Sequence, residues 1–190
     1  MPDDATRPYV TRGGDKLAGA LEAFGLDVHG MVCADLGSHM GGFVDCLLRH
    51  GAARVYSVDT SYGTFDWRLR NDPRVVVMER TNALHASLPE PVDLVTIDVA
   101  WTRQALILPA TRRLVKEDGR IVSLIKPQYE SSPAEREKGV VRPECVVGVM
   151  QRVCDALLEE GVIPTAMVRS PIRGGAGNAE FFALVPGRPT

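Results

Sequence analysis

The chain has 190 residues, 45% of them apolar and 24% charged, which is enough for one domain with its own core and too little for two. Its 22 Lys and Arg stand against 24 Asp and Glu, a formal net charge of −2. This excludes a uniformly basic nucleic-acid coat protein but leaves room for a local basic cleft.

Residues 1–15 read as an N-terminal arm and 16–190 as one domain. The arm holds no apolar run of the kind that marks a signal peptide. Residues 31–36 (MVCADL) form a first strand ending at an acid, and 42–50 (GFVDCLLRH) a helix. Residues 54–59 (RVYSVD) are a second strand, 74–78 (RVVVM) a third and 92–99 (VDLVTIDV) a fourth. A helix is expected over 104–114, and a fifth strand over 120–125 after Gly119. The polar stretch 129–138 (YESSPAEREK) reads as a mobile loop. A helix over 145–160 stops at Gly161, and 162–169 and 181–185 close the fold as a pair of strands. Alternating strands and helices predict an α/β fold, a mostly parallel sheet with helices on both faces. Ligands in such sheets bind beyond the carboxyl ends of the strands, where Asp35, Asp59 and Asp98 fall.

Nothing approaches the roughly 20 apolar residues of a membrane helix, so a cytoplasmic protein without membrane contact is expected. The four cysteines, Cys33, Cys46, Cys145 and Cys154, form no CxxC pair and no zinc-binding spacing with histidine. Reduced core cysteines and no metal are the expectation.

The strongest local signal follows the first strand: Asp35-Leu36-Gly37-Ser38-His39-Met40-Gly41-Gly42-Phe43. Glycines let the backbone turn tightly and approach a ligand, and the following helix offers free N–H groups. The spacing is not the dinucleotide G-x-G-x-x-G. It resembles the first motif of S-adenosylmethionine (SAM) methyltransferases. Asp59, ending the second strand, could accept hydrogen bonds from two ribose hydroxyls. Asp35 either faces the ligand's amino group or braces the loop. Asn82, with Ala83 where an adenine would lie, either bonds the adenine edge or is a turn residue.

Four further polar residues sit awkwardly for a purely structural role. Asp98 ends an apolar strand, and Lys126 ends another in Ser123-Leu124-Ile125-Lys126-Pro127-Gln128. Lys16 follows a Gly-Gly pair, and Glu180 follows a glycine-rich loop. A lysine at the inner end of a buried strand is costly unless paired.

The segments Tyr9-Val10-Thr11-Arg12-Gly13-Gly14-Asp15-Lys16-Leu17, Asp66-Trp67-Arg68-Leu69-Arg70, Lys126-Pro127-Gln128-Tyr129-Glu130 and Ser170-Pro171-Ile172-Arg173-Gly174-Gly175-Ala176-Gly177-Asn178-Ala179-Glu180 resemble the TlyA (hemolysin A-like) family of FtsJ-type RNA ribose methyltransferases. The resemblance runs in order from about residue 9 to the C-terminus. It implies a Rossmann-like SAM-dependent fold with an antiparallel C-terminal strand. It also implies 2′-O-methylation of ribose in ribosomal RNA, typically at cytidine, and a Lys-Asp-Lys-Glu tetrad at Lys16, Asp98, Lys126 and Glu180. Methyl transfer is an in-line displacement, so positioning the hydroxyl supplies much of the effect. Lys126 takes the central role, and the other three give electrostatic support.

The chain departs from this family in places. Most members carry an S4-like RNA-binding domain ahead of the Tyr-Val segment, and eight residues precede Tyr9 here. A partner protein or self-association replacing that domain is expected, and a methyltransferase for a small molecule is the alternative reading. His39 and Met40 are bulky for the glycine loop, and His39 is either a substrate contact or a solvent-facing loop residue. Trp101 either stacks on a base or sits in the core. Arg12, Arg68, Arg70, Arg103, Arg142 and Arg173 are candidates for facing phosphates.

Overall fold

The computed structural model describes residues 8–187; the first seven residues of the predicted arm and the last three of the chain lie outside the described residues. Seven strands form one sheet in the order β3-β2-β1-β4-β5-β9-β8. They are β1 (Val32–Leu36), β2 (Arg54–Val58), β3 (Val75–Met78), β4 (Val92–Ile97), β5 (Val115–Ile125), β8 (Ala166–Arg169) and β9 (Phe181–Pro186). The first five pair in parallel. β9 runs antiparallel between β5 and β8, so the expected mixed sheet is the observed one.

The near-continuous apolar strands are explained by cover on both faces. One face packs Ile107 and Leu108 of α4 (Gln104–Thr111) with Val153 and Leu157 of α6 (Pro143–Glu159) over Val95, Ile121 and Val185. The other packs Leu17 and Leu21 of α1 (Arg12–Phe24) with Val44 and Leu47 of α2 (Gly42–Arg49) over Cys33, Val122 and Phe182. Leu17 and Leu21 are almost fully inaccessible, and burying each contributes on the order of 2–3 kcal/mol.

Helix α1 is the longest element the sequence reading omits. Thr11 caps it by accepting from the Gly13 N–H, and Gly25 ends it in a left-handed conformation. The helix therefore starts inside the predicted arm. Asp45 of α2 holds the segment before it, accepting from the Val10 N–H at 2.9 Å and from Arg49 Nε at 2.8 Å.

The stretch 129–138, expected as a mobile loop, carries regular structure instead. It ends the short helix α5 (Pro127–Glu130), makes a 3-10 turn over Pro133–Glu135, and starts a hairpin of β6 (Arg136–Glu137) with β7 (Val140–Val141). The physical reason is local. Ser132 and Glu135 form a capping box, and Arg152 of α6 clamps Glu135. Of the cysteines, Cys33 and Cys46 are core residues as expected, but Cys145 and Cys154 on α6 are only half-buried; all four are free thiols.

Candidate active site

The strand order reverses between β1 and β4, and the carboxyl ends of β1, β2, β4 and β5 meet at that point. In doubly wound sheets this is where ligands bind. The loop after β1 is fastened to both neighbours: the Gly37 N–H donates to the Val58 carbonyl at 2.8 Å, and the Asp98 N–H donates to the Leu36 carbonyl at 2.9 Å. Gly37 has φ +90°, and a Cβ there would meet the Asp98 carbonyl oxygen at 2.7 Å. A Gly37→Ala variant is therefore expected to lose about 2–3 kcal/mol of stability, read as a lower urea midpoint at unchanged slope.

Two adjoining cavities share Gly37, His39 and Asp98. The first, about 600 Å³, is lined by Lys16, Asp35, Ser38, Met40, Gly42 and Phe43 among others. The second, about 540 Å³, takes Asp59, Asn82, Ala83, Trp101 and Lys126 into its wall. The predicted cofactor residues thus converge on one cleft, with one exception. Gly41 lines neither cavity; its φ of +97° starts α2, and its α-carbon backs onto Phe65 and Leu69.

The acids differ in environment. Asp35 is fully buried and accepts from Thr96 Oγ1 at 2.7 Å, while its Oδ2 has no partner among the described residues. Burial, only partly offset by the Thr96 hydroxyl, and then the nearby Asp98 and Asp59 charges push its pKa up to about 8. Asp59 behaves oppositely. Burial works against its charge, but bonds from Ser61 and from the His39 N–H (2.8 Å) prevail and hold it below the usual carboxylate range. The backbone of His39, at φ +46°, is thus pinned to Asp59. Asn82 caps a 3-10 turn by accepting from the Leu84 N–H at 2.9 Å, which is the turn role, although the residue also lines the second cavity.

The four polar residues pair across long sequence separations. Lys16 Nζ lies 2.6 Å from Glu180 Oε2, with both side chains nearly buried. Lys126 Nζ lies 2.6 Å from Asp98 Oδ1 and donates to the Val99 carbonyl at 3.3 Å. Burial outweighs the adjacent Lys126 and Lys16 charges and keeps the Asp98 carboxyl above its ordinary range, with the Glu180 charge adding to the rise. Glu180 fits because Gly174 has no side chain; a Cβ there would run into the Glu180 carboxylate. Arg12 and Arg173 line the first cavity, and Arg12 Nη2 donates to the Arg173 carbonyl at 3.0 Å. Arg68, Arg70 and Arg142 are instead drawn to Asp66, Glu79 and Glu144. Trp101 is no core residue: it is 81% exposed.

This sheet, glycine turn and acid pattern define the SAM-dependent methyltransferase class. The residues fit the donor: the unpartnered Asp35 oxygen and the glycine-lined turn leave a polar cradle in the first cavity, and Asp59 stands at the second. The FtsJ-like methyltransferase family matches residues 9–185. The chain is 42% identical over 183 residues to YqxC of Bacillus subtilis (strain 168), covering 92% of this chain and 64% of that protein. It is also 42% identical over 189 residues to the 16S/23S rRNA (cytidine-2'-O)-methyltransferase TlyA of Mycobacterium tuberculosis, covering 94% of this chain and 69% of that one. A solved structure from Streptococcus thermophilus, described as a hemolysin, superposes with a TM-score of 0.89 at 35% identity, covering 98% of this chain and 69% of that one. The chain belongs to the TlyA family of FtsJ-like methyltransferases, for which SAM is the implied methyl donor. It spans about two thirds of the length of these curated relatives. Among the described residues no helix is long and apolar enough to cross a membrane, and no group of three or more His, Cys, Asp or Glu could hold a metal ion.

Proposed function

We propose that the protein methylates the 2′-hydroxyl of a ribose in ribosomal RNA, in the cytoplasm, with Lys16, Asp98, Lys126 and Glu180 as its working residues. The observation that carries this reading is the pair of 2.6 Å ion contacts, Lys126–Asp98 and Lys16–Glu180, set against the cleft at the strand ends. Support for RNA comes from the relatives named as rRNA methyltransferases, one for cytidine 2′-O positions. Neither the small-molecule acceptor nor the partner protein weighed from the sequence draws support from them.

When bound, SAM supplies an electrophilic methyl group. Asp35 and the loop from Gly37 to Phe43 would hold its methionine part, and Asp59 and the Asn82–Ala83 turn its adenosine part. Lys126 Nζ holds the acceptor hydroxyl in line and takes part in moving its proton. Asp98 fixes the Lys126 ammonium and offers a carboxylate to which the proton can pass. Lys16 and Glu180 form a second dipole beside them that keeps the charge balance of the pair.

Incubating the protein with labelled SAM and, separately, total RNA and a small-molecule extract tests the reading. Label is expected in the RNA fraction alone, with RNA binding that weakens steeply as salt is raised. Label confined to the small-molecule fraction would contradict it.

A further inference from the structure

Beyond the cleft, on the far side of Trp101, lies an open groove of about 900 Å³ that the proposed reaction does not use. Trp101 belongs to the walls of both spaces. Its backbone is held at φ +66° and its side chain stands out in solvent. A large indole in a left-handed conformation costs stability, and burial does not repay that cost here. Its ring sits 4.8 Å from that of Tyr129 at an angle of 45°. The Tyr129 ring in turn lies 5.9 Å from Lys126 Nζ. The groove therefore begins immediately beside the proposed reacting centre.

The charges of the groove are unevenly committed. Arg152 is clamped to Glu135 at 2.7 and 2.8 Å. Glu130 accepts from the Gln104 N–H at 2.9 Å. Arg103 and Arg136 have no carboxylate within ion-pair distance among the described residues; Arg136 donates to the Ser132 and Gln128 carbonyls. Two buried side-chain oxygens of residues lining the groove, Gln128 Oε1 and Ser131 Oγ, have no partner among the described residues. The Gln128 amide is oriented by its Nε2, which faces Glu180 Oε1 at 3.5 Å.

An exposed indole for stacking and two guanidinium groups without a carboxylate at ion-pair distance, Arg103 acting on Glu130 only at longer range, together describe a site for a base and its phosphate. We infer that this groove is the subsite for the nucleotide flanking the acceptor in the RNA strand, stacked on the outer face of Trp101 with its phosphate at Arg103 and Arg136. The inference rests on the RNA reading above. The acceptor ribose itself belongs at Lys126 on the inner side of Trp101, so the groove takes its neighbour.

The chain has two tryptophans, so a Trp67→Phe variant leaves Trp101 as the sole indole reporter. With the cofactor cleft saturated by S-adenosylhomocysteine, cytidine 5′-monophosphate is expected to quench Trp101 fluorescence. Cytidine alone and ribose 5-phosphate alone are each expected to bind about tenfold more weakly. Adding Arg103→Ala should weaken cytidine 5′-monophosphate about fivefold and leave cytidine unchanged. Arg103 is exposed and its side chain makes no helix cap, so the fold should hold; Arg136→Ala gives a second reading of the same term. In the methylation assay, Arg103→Ala should raise KM for RNA severalfold with kcat nearly unchanged. The inference is overturned if no probe quenches Trp101, if S-adenosylhomocysteine competes the nucleotide away, or if neither arginine variant alters its affinity. The nucleotide titration reads whether or not RNA is methylated, so failure of the subsite and failure of the ribose reading are separable.

Discussion

A Lys126→Ala variant is expected to transfer methyl groups at least about 10³-fold more slowly than the native protein while binding SAM within about threefold of it. Lys126 directly follows β5, and its ammonium group is held between Asp98 Oδ1 and the Val99 carbonyl. It is the cation of the cleft in contact with Asp98, and it lines the half of the cleft that also contains Asp59 and Asn82. Truncation removes the group that aligns the hydroxyl, but leaves Asp35, Asp59 and the glycine turn as they were. The fold should tolerate the change. The two side chains of the pair are only 15% and 24% exposed, so the Asp98 left behind is relieved chiefly by taking up a proton and the change costs on the order of 2–3 kcal/mol. Melting temperature should fall by roughly 5–10 °C, with the fold retained. Lys126→Arg sharpens the test: guanidinium keeps the charge beside Asp98 but does not release a proton near neutral pH. If the lysine handles the proton, the arginine variant stays below about 1% of native turnover. Turnover of Lys126→Ala within tenfold of native would remove Lys126 from the centre of the mechanism.

An Asp35→Asn variant should be more stable than the native protein at high pH and similar to it at low pH. Burial, against the opposing Thr96 hydroxyl and with help from the Asp98 and Asp59 charges, raises the Asp35 pKa from 3.8 to about 8. The folded state therefore retains a proton there that the unfolded chain releases near pH 4. Native stability is at its fullest, as far as this group is concerned, below pH 4. It falls as pH rises toward 8 and levels off above that. The upper bound on the loss is about 6 kcal/mol, and relaxation of the site makes it smaller. Asparagine keeps an oxygen for Thr96 and never ionises. Melting curves at pH 3.5 and pH 9 should show the variant gaining roughly 5–10 °C on the native protein at pH 9 and almost nothing at pH 3.5. The same variant should bind SAM more weakly, because the cationic methionine part proposed to sit against Asp35 favours its ionised form, which asparagine cannot adopt. Equal melting temperatures at pH 9 would mean that Asp35 is not held protonated by its burial.

What the sequence discloses and what it hides follow from the range of the interactions. The parallel strands were legible because each carries a short, mainly apolar run, and the central ones, β1, β2 and β4, are buried almost throughout. The acids ending them were legible for the same reason, since a charge after such a run stands out. The glycine turn announced itself through residue types that few other backbone conformations require. Helix α1 was missed although its signals are present: Thr11 before it, Gly25 after it, and Leu17, Ala20 and Leu21 at helical spacing. Its closeness to the chain start and its Gly-Gly pair made it read as an arm. The 129–138 stretch misled because its order depends on Arg152, 17 residues from Glu135, which no local pattern reveals. The pairing of Lys16 with Glu180 bridges 164 residues; spacing could not supply it, and only the resemblance put the two together. The exposure of Trp101 was likewise beyond sequence, because an indole beside a strand end suits a core as well as a surface.

The most direct test of the ribose reading is chemical. RNA that has been methylated by the protein with labelled SAM is digested to nucleosides, and the labelled product is identified by mass spectrometry. The label is expected in a 2′-O-methylnucleoside, and it should vanish when the acceptor position is synthesised as a deoxynucleotide. Label on a base, or label that survives the deoxy substitution, would contradict the account.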